Sequence, residues 1–89
     1  MNASKLADAA GITYRQLDNW CRSGYLNPHG GEGTGKARDF PPGEVQVAIL
    51  MGRLVHAGFT PEAAHTVARL HKPGQPMKLD DGITLTIDL

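Results

Sequence analysis

The chain has 89 residues, with nine basic and nine acidic side chains, a formal net charge of +0 and one cysteine. Such a length holds one domain with a modest core and leaves no room within it for a separate effector domain. The even balance excludes a protein that holds nucleic acid by bulk charge, and a lone cysteine excludes an internal disulfide.

The first predicted element is a helix that starts after Asn2, whose side-chain oxygen can accept from the free N–H groups of the first turn. It carries Leu6, Ala7 and Ala10 on one face. Gly11 stops it, because a glycine reverses the chain through the left-handed region without a Cβ clash. Thr13 restarts a helix, and Gln16 three positions on completes a capping box. In this second helix Leu17, Trp20 and Cys21 fall at i, i+3 and i+4 and share a buried face, while Arg15, Asn19 and Arg22 share another. Gly24 closes it. Two short helices around a glycine turn are a helix-turn-helix, and the second has the polar outer face and bolted inner face that the major groove of DNA demands. Its first turn offers unpaired N–H groups suited to phosphate, with Tyr14 and Arg15 placed to reach the backbone or base edges.

Residues Asn27 to Phe40 hold four glycines and no apolar period, which predicts a loop. Short extended arms flank it, Tyr25-Leu26 going out and Ala37-Arg38-Asp39-Phe40 returning, with Phe40 anchored in the core. A two-stranded ribbon whose tip carries Lys36 and Arg38, directly after a recognition helix, reads as a wing that touches the flanking backbone or minor groove. The other reading is a surface loop with two incidental charges.

Pro42 opens a third helix with Glu44 in its first turn, where the helix dipole favours an acid. Val45, Val47, Ala48, Ile49, Leu50, Met51, Gly52, Leu54 and Val55 make more than one apolar stripe, so it is either the central core helix or, on one face, a dimer surface. Gly58 ends it. Thr60-Pro61-Glu62 opens a fourth helix, with Ala63, Ala64, Val67, Ala68 and Leu70 as its apolar face to about His71. After a Pro- and Gly-rich break, Met77 to Leu89 alternates Ile83, Leu85, Ile87 and Leu89 with Thr84, Thr86 and Asp88 around an Asp81-Gly82 turn, a terminal β-hairpin. The expected fold is therefore mainly α with a small β wing: a winged helix-turn-helix of about four helices plus a C-terminal β-hairpin. Residues 1–72 form the DNA-binding domain. Residues 73–89 are an extension, either part of the same domain or an oligomer contact. That extension sets Asp80, Asp81 and Asp88 against Lys78 and leaves residues 1–72 at +2, a weak field that predicts modest affinity per monomer unless copies bind together.

Ala7, Gly11-Ile12-Thr13, Leu17, Trp20, Gly24, Leu26 and Pro28, then Arg38-Asp39-Phe40-Pro41 and the helix after them, resemble the MerR-type winged helix-turn-helix DNA-binding domain over roughly Ala3 to Leu70. The resemblance implies a recognition helix around Tyr14–Ser23, a wing around residues 27–40 and double-stranded DNA as ligand. The chain departs from the pattern at Asp18 and Asn19, where family regulators usually carry arginine and tyrosine, so base preference does not transfer. Asp18 either orients Arg15 or Arg22 across a helical turn or accepts from a cytosine amino group. Lacking the long dimerisation helix and effector domain, the chain is similar to small effectorless members: phage excisionases and compact regulators that assemble head to tail.

The candidate DNA-binding residues are Thr13, Tyr14, Arg15, Gln16, Asn19, Arg22, Lys36 and Arg38; Tyr14 reads equally as a staple on the wing. Trp20 and Cys21 read as core. His29, His56, His65 and His71 lack metal-ligand spacing and read as surface residues, so no metal, cofactor or enzymatic activity is expected. No signal segment or membrane span is legible, which predicts a cytoplasmic, nucleoid-associated protein. A sequence-specific small transcriptional regulator is the first expectation and a phage-type excisionase, or recombination directionality factor, the second. A third, from another class, is a protein-interaction module that uses the fold without DNA. Self-association through the C-terminal hairpin or the helix at residues 43–57 is a further possibility.

Overall fold

The computed structural model describes residues 1–30 and 38–88, and every helix in it starts at a side-chain cap or a proline. Asn2 accepts from the Lys5 N–H at 2.9 Å and opens α1 (Ala3–Ala10). Gly11 takes φ 69°, and the Ile12 N–H returns to the Ala7 carbonyl at 3.0 Å, so the turn satisfies helix-end carbonyls that would otherwise be orphaned. The capping box then forms as expected: Thr13 Oγ1 accepts from the Gln16 N–H at 3.1 Å, and Gln16 Oε1 accepts from the Thr13 N–H at 2.9 Å. It opens α2 (Tyr14–Arg22).

The outgoing arm of the wing is a correction. Tyr25 and Leu26 do not form a strand, because both N–H groups fold back on the Trp20 carbonyl, at 2.9 and 3.4 Å, to close α2. Pairing begins later, with β1 (His29–Gly30) antiparallel to β2 (Arg38–Asp39), His29 opposite Asp39 and Gly30 opposite Arg38. Leu26 and Phe40, each 1% exposed, anchor the ribbon from both sides. An antiparallel bridge from Asn2 to Asp39 ties it to the start of α1. The tip of the wing, including Lys36, lies outside the described residues.

The third helix, α3 (Pro42–His56), is the central one, packing against both α1 and α4 (Pro61–Leu70). Ala48, Leu50, Met51, Gly52 and Leu54 are buried on it. Ala48, Leu50, Met51 and Leu54 form one core with Leu6, Leu17, Trp20, Leu26 and Phe40. Burying a leucine such as Leu6 or Leu17 completely contributes about 2 kcal/mol. Gly52 is needed for shape: a Cβ there would meet the Ala10 carbonyl, so glycine lets α1 and α3 touch backbone to backbone.

On α4 only Ala64, Val67 and Ala68 are buried. Leu70 is 64% exposed and Ala63 is exposed as well, against the expectation that both belong to the apolar face. At 100° per residue they fall about 100° away from the centre of the buried stripe. The C-terminal hairpin forms, as β3 (Met77–Asp80) and β4 (Ile83–Leu85) with Met77 opposite Leu85. Met77, Leu85 and Ile87 rest on the core, while Leu79 and Ile83 are 44% and 54% exposed. The alternation therefore seats only the root of the hairpin. No helix among the described residues is long and apolar enough to cross a membrane.

Candidate nucleic-acid interface

The second helix is nine residues long, about 14 Å, a length that lies within a DNA major groove. Leu17 and Trp20 fix its inner side at 0% and 4% exposure. Tyr14, Arg15, Gln16, Asn19 and Arg22 are all exposed on the outside, and Tyr14 at 58% is not packed away as a staple. Arg15 makes no ion pair among the described residues. The capping box leaves Thr13 and Gln16 with a defined residual chemistry. Their oxygens are spent on backbone N–H groups, and what remains is the Thr13 hydroxyl proton and the Gln16 amide NH₂, both donors. Phosphate oxygens, which only accept, are the matching partner.

Arg22 and Arg38 meet at Asp18. Arg22 Nε donates to Asp18 Oδ2 at 2.8 Å, and Arg38 Nη2 donates to Oδ1 at 2.6 Å. Of the two orientations open at Asp18, the helix chooses Arg22, four residues on, over Arg15. Both carboxylate oxygens are engaged by arginines. Arg38, hydrogen-bonded beside it, holds the Asp18 carboxyl below the usual range, and the guanidinium of Arg38 is raised in return. Arg38 itself corrects the expectation of a free cation at the wing tip. Its side chain is only 19% exposed because it sits at the ribbon's base, turned against the recognition helix.

A second network, which sequence reasoning missed, fixes the root of the wing. Arg69 of α4 donates from Nη1 and Nη2 to the two oxygens of Glu44, both at 2.7 Å, and from Nη2 to the Tyr25 carbonyl at 2.7 Å. Glu44 Oε1 also accepts from the Asn27 N–H at 2.7 Å. Tyr25 stacks on His65 with ring centroids 4.8 Å apart, and Arg69 Nε donates to His65 Nε2 at 3.3 Å. The bond from Arg69 lowers the pKa of Glu44, and burial lowers that of His65. Glu44 is thus more than a first-turn acid: it joins the segment after α2 to α3 and α4. Its partner lies 25 residues away, and no local spacing announces it.

The other candidates settle into structural places. His56 Nε2 lies 2.8 Å from the Gly11 carbonyl and pins the turn between α1 and α2. Cys21 is half-buried, and burial pushes its thiol pKa up. Among the described residues no group of three or more His, Cys, Asp or Glu side chains is placed to hold a metal ion. Taken as a whole, the surface offers a short polar helix on a rigid support beside a two-stranded ribbon, the shape that places one element in a groove and the other on the adjoining backbone. The family model described as MerR HTH family regulatory protein matches residues 1–70. No curated protein matches the chain.

Proposed function

The chain belongs to the MerR helix-turn-helix family of regulatory proteins, and from that premise we propose that it is a small sequence-specific regulator that reads duplex DNA with α2. Family membership accounts for the class, a DNA-binding regulator of transcription. The finer reading rests on one observation: α2 exposes Arg15 and Asn19 side by side with Gln16 and Arg22 while Leu17 and Trp20 hold it rigidly from behind. In this reading Arg15 pairs with a guanine edge and Asn19 with an adenine edge, the two bidentate matches their geometry favours. Thr13, Tyr14, Gln16 and Arg22 position the helix on phosphates, and Lys36 and Arg38 extend the contact along the wing. Residues 1–72 carry only +2, and Leu79 and Ile83 lie exposed on the hairpin, so two or more copies act together on one site through residues 73–89.

Selection of binding sequences from a randomised duplex library tests the reading. Two base-reading side chains, each contributing about 1–3 kcal/mol, predict a recovered motif that binds at least about 30-fold more tightly than its scrambled counterpart. Recovery of no motif refutes sequence-specific reading. Failure to shift any duplex at low salt leaves the protein-interaction module as the account. A recovered pair of tandem sites that the protein bends marks the excisionase form of the same activity.

A further inference from the structure

Asp18 stands where the recognition helix and the wing meet, and it touches both. Its two oxygens hold Arg22, one turn along α2, and Arg38, across the gap in β2, at 2.8 and 2.6 Å. The carboxylate is 23% exposed and Arg38 is 19% exposed, whereas Arg22 reaches into solvent at 77%. Arg38 also keeps its Nη1 buried without a partner among the described residues. Beside it, Arg22, Arg38, Asn27, Pro28 and Gly30 line a notch of about 300 Å³. The trio of side chains carries a net charge of +1, and its only acceptor is already committed twice. What is left is an excess of N–H donors, so the notch is matched to one anion.

We propose that Asp18 is a positioning residue for DNA recognition: without touching DNA, it clamps the wing arginine to the recognition-helix arginine so that both face one backbone phosphate seated in the notch. The proposal rests on the DNA-binding reading above. Two guanidinium groups this close repel each other, and Arg22 in particular is free to sample many rotamers. Asp18 removes both problems before DNA arrives, so less side-chain order is lost on binding. A phosphate fixed at the junction of helix and wing also sets the register of α2 along the groove, and with it the bases that Arg15 and Asn19 reach.

An acid at this place works against binding to any duplex, because it repels the DNA backbone. Asp18→Asn therefore has two effects of opposite sign. It raises affinity for random duplex by removing a negative charge, and it lowers affinity for the selected site by releasing the two arginines. The quantity to measure is the ratio of the two affinities, at fixed salt, together with the melting temperature of each variant. The expected result is a ratio about tenfold lower for Asp18→Asn and largely restored in Asp18→Glu, which keeps the carboxylate. Adding Asp18→Asn to the double variant Arg22→Gln, Arg38→Gln should change the ratio little further, since Asp18 acts through those two arginines. A parent that discriminates and an Asp18→Asn variant with the same ratio overturn the proposal and leave the DNA-binding reading standing. Equal losses on both duplexes that track the melting temperature reduce Asp18 to a fold-holding residue and overturn it too. Where Asp18→Asn does not fold, Arg38→Gln alone must lower the ratio, and an unchanged ratio refutes the clamp. A parent without discrimination removes the underlying reading and the proposal together.

Discussion

Replacing Gly52 by alanine separates two physical effects of opposite sign. Helix propensity alone predicts stabilisation, since alanine is favoured over glycine inside a helix by about 1 kcal/mol. The packing predicts the reverse. A Cβ at Gly52 would lie closer than 3.0 Å to the Ala10 carbonyl oxygen, 3.1 Å from its carbon and 3.4 Å from the Ala10 Cβ. Carbon atoms in contact normally stand about 3.5–4.0 Å apart. The obstruction is backbone rather than a flexible side chain, so α1 itself must move, and with it the fully buried Leu6. Overpacking of this kind costs about 3 kcal/mol at the upper end of the usual range, which leaves a net destabilisation of about 2 kcal/mol. For a domain of this size that lowers the melting temperature by about 8–16 °C. Thermal unfolding followed by circular dichroism measures it, and a Gly52→Ala protein that melts at or above the parent temperature refutes the close approach of α1 and α3.

Thr13→Ala removes one half of the capping box and should lower stability by about 0.5–2 kcal/mol, read from the urea midpoint; an unchanged midpoint would show that the cap does not hold α2. Acid should weaken the wing root. The folded-state pKa values of His65 and Glu44 both lie below the ordinary 6.5 and 4.5, so the folded protein binds fewer protons than the unfolded chain. The His65 contribution is complete above 6.5 and is lost as pH falls through its depressed folded value; that of Glu44 is lost further down, below 4.5. Melting temperature should therefore fall between neutral pH and about pH 5, and fall less in His65→Gln. A parent and variant with the same pH dependence would contradict the role of His65. Lys36→Ala should weaken selected and random duplexes alike and reduce the salt slope by about 0.9, and an unchanged slope would remove Lys36 from the interface.

The features that were legible in sequence are those decided within a few residues. Asn2, the Thr13–Gln16 box, Gly11 and Thr60-Pro61 each act on the adjacent turn, and each forms as its spacing requires. The multiple apolar stripes of α3 likewise marked the helix that others pack around. The departures depend on contacts and angles that residue type alone does not disclose. Tyr25 and Leu26 look extended by composition, yet the Trp20 carbonyl draws them back to finish a helix. Arg38 looks like a wing-tip cation because nothing nearby in sequence reveals Asp18, twenty residues earlier, as its partner. Glu44 and Arg69 are farther apart still. Leu70 suited an apolar face by residue type, but its angle around α4 carries it outward. At the candidate site, helical periodicity identified the exposed residues of α2 and left their mutual pairing undetermined, since Asp18 had either Arg15 or Arg22 within reach.

The central claim, that the outer face of α2 reads base edges, is tested most directly by Arg15→Ala measured in equilibrium titrations on the selected duplex and on its scrambled counterpart. Loss of one bidentate base contact predicts a weakening of about 1–3 kcal/mol on the selected duplex and a much smaller change on the scrambled one. Retention of the parent affinity on the selected duplex would contradict the account.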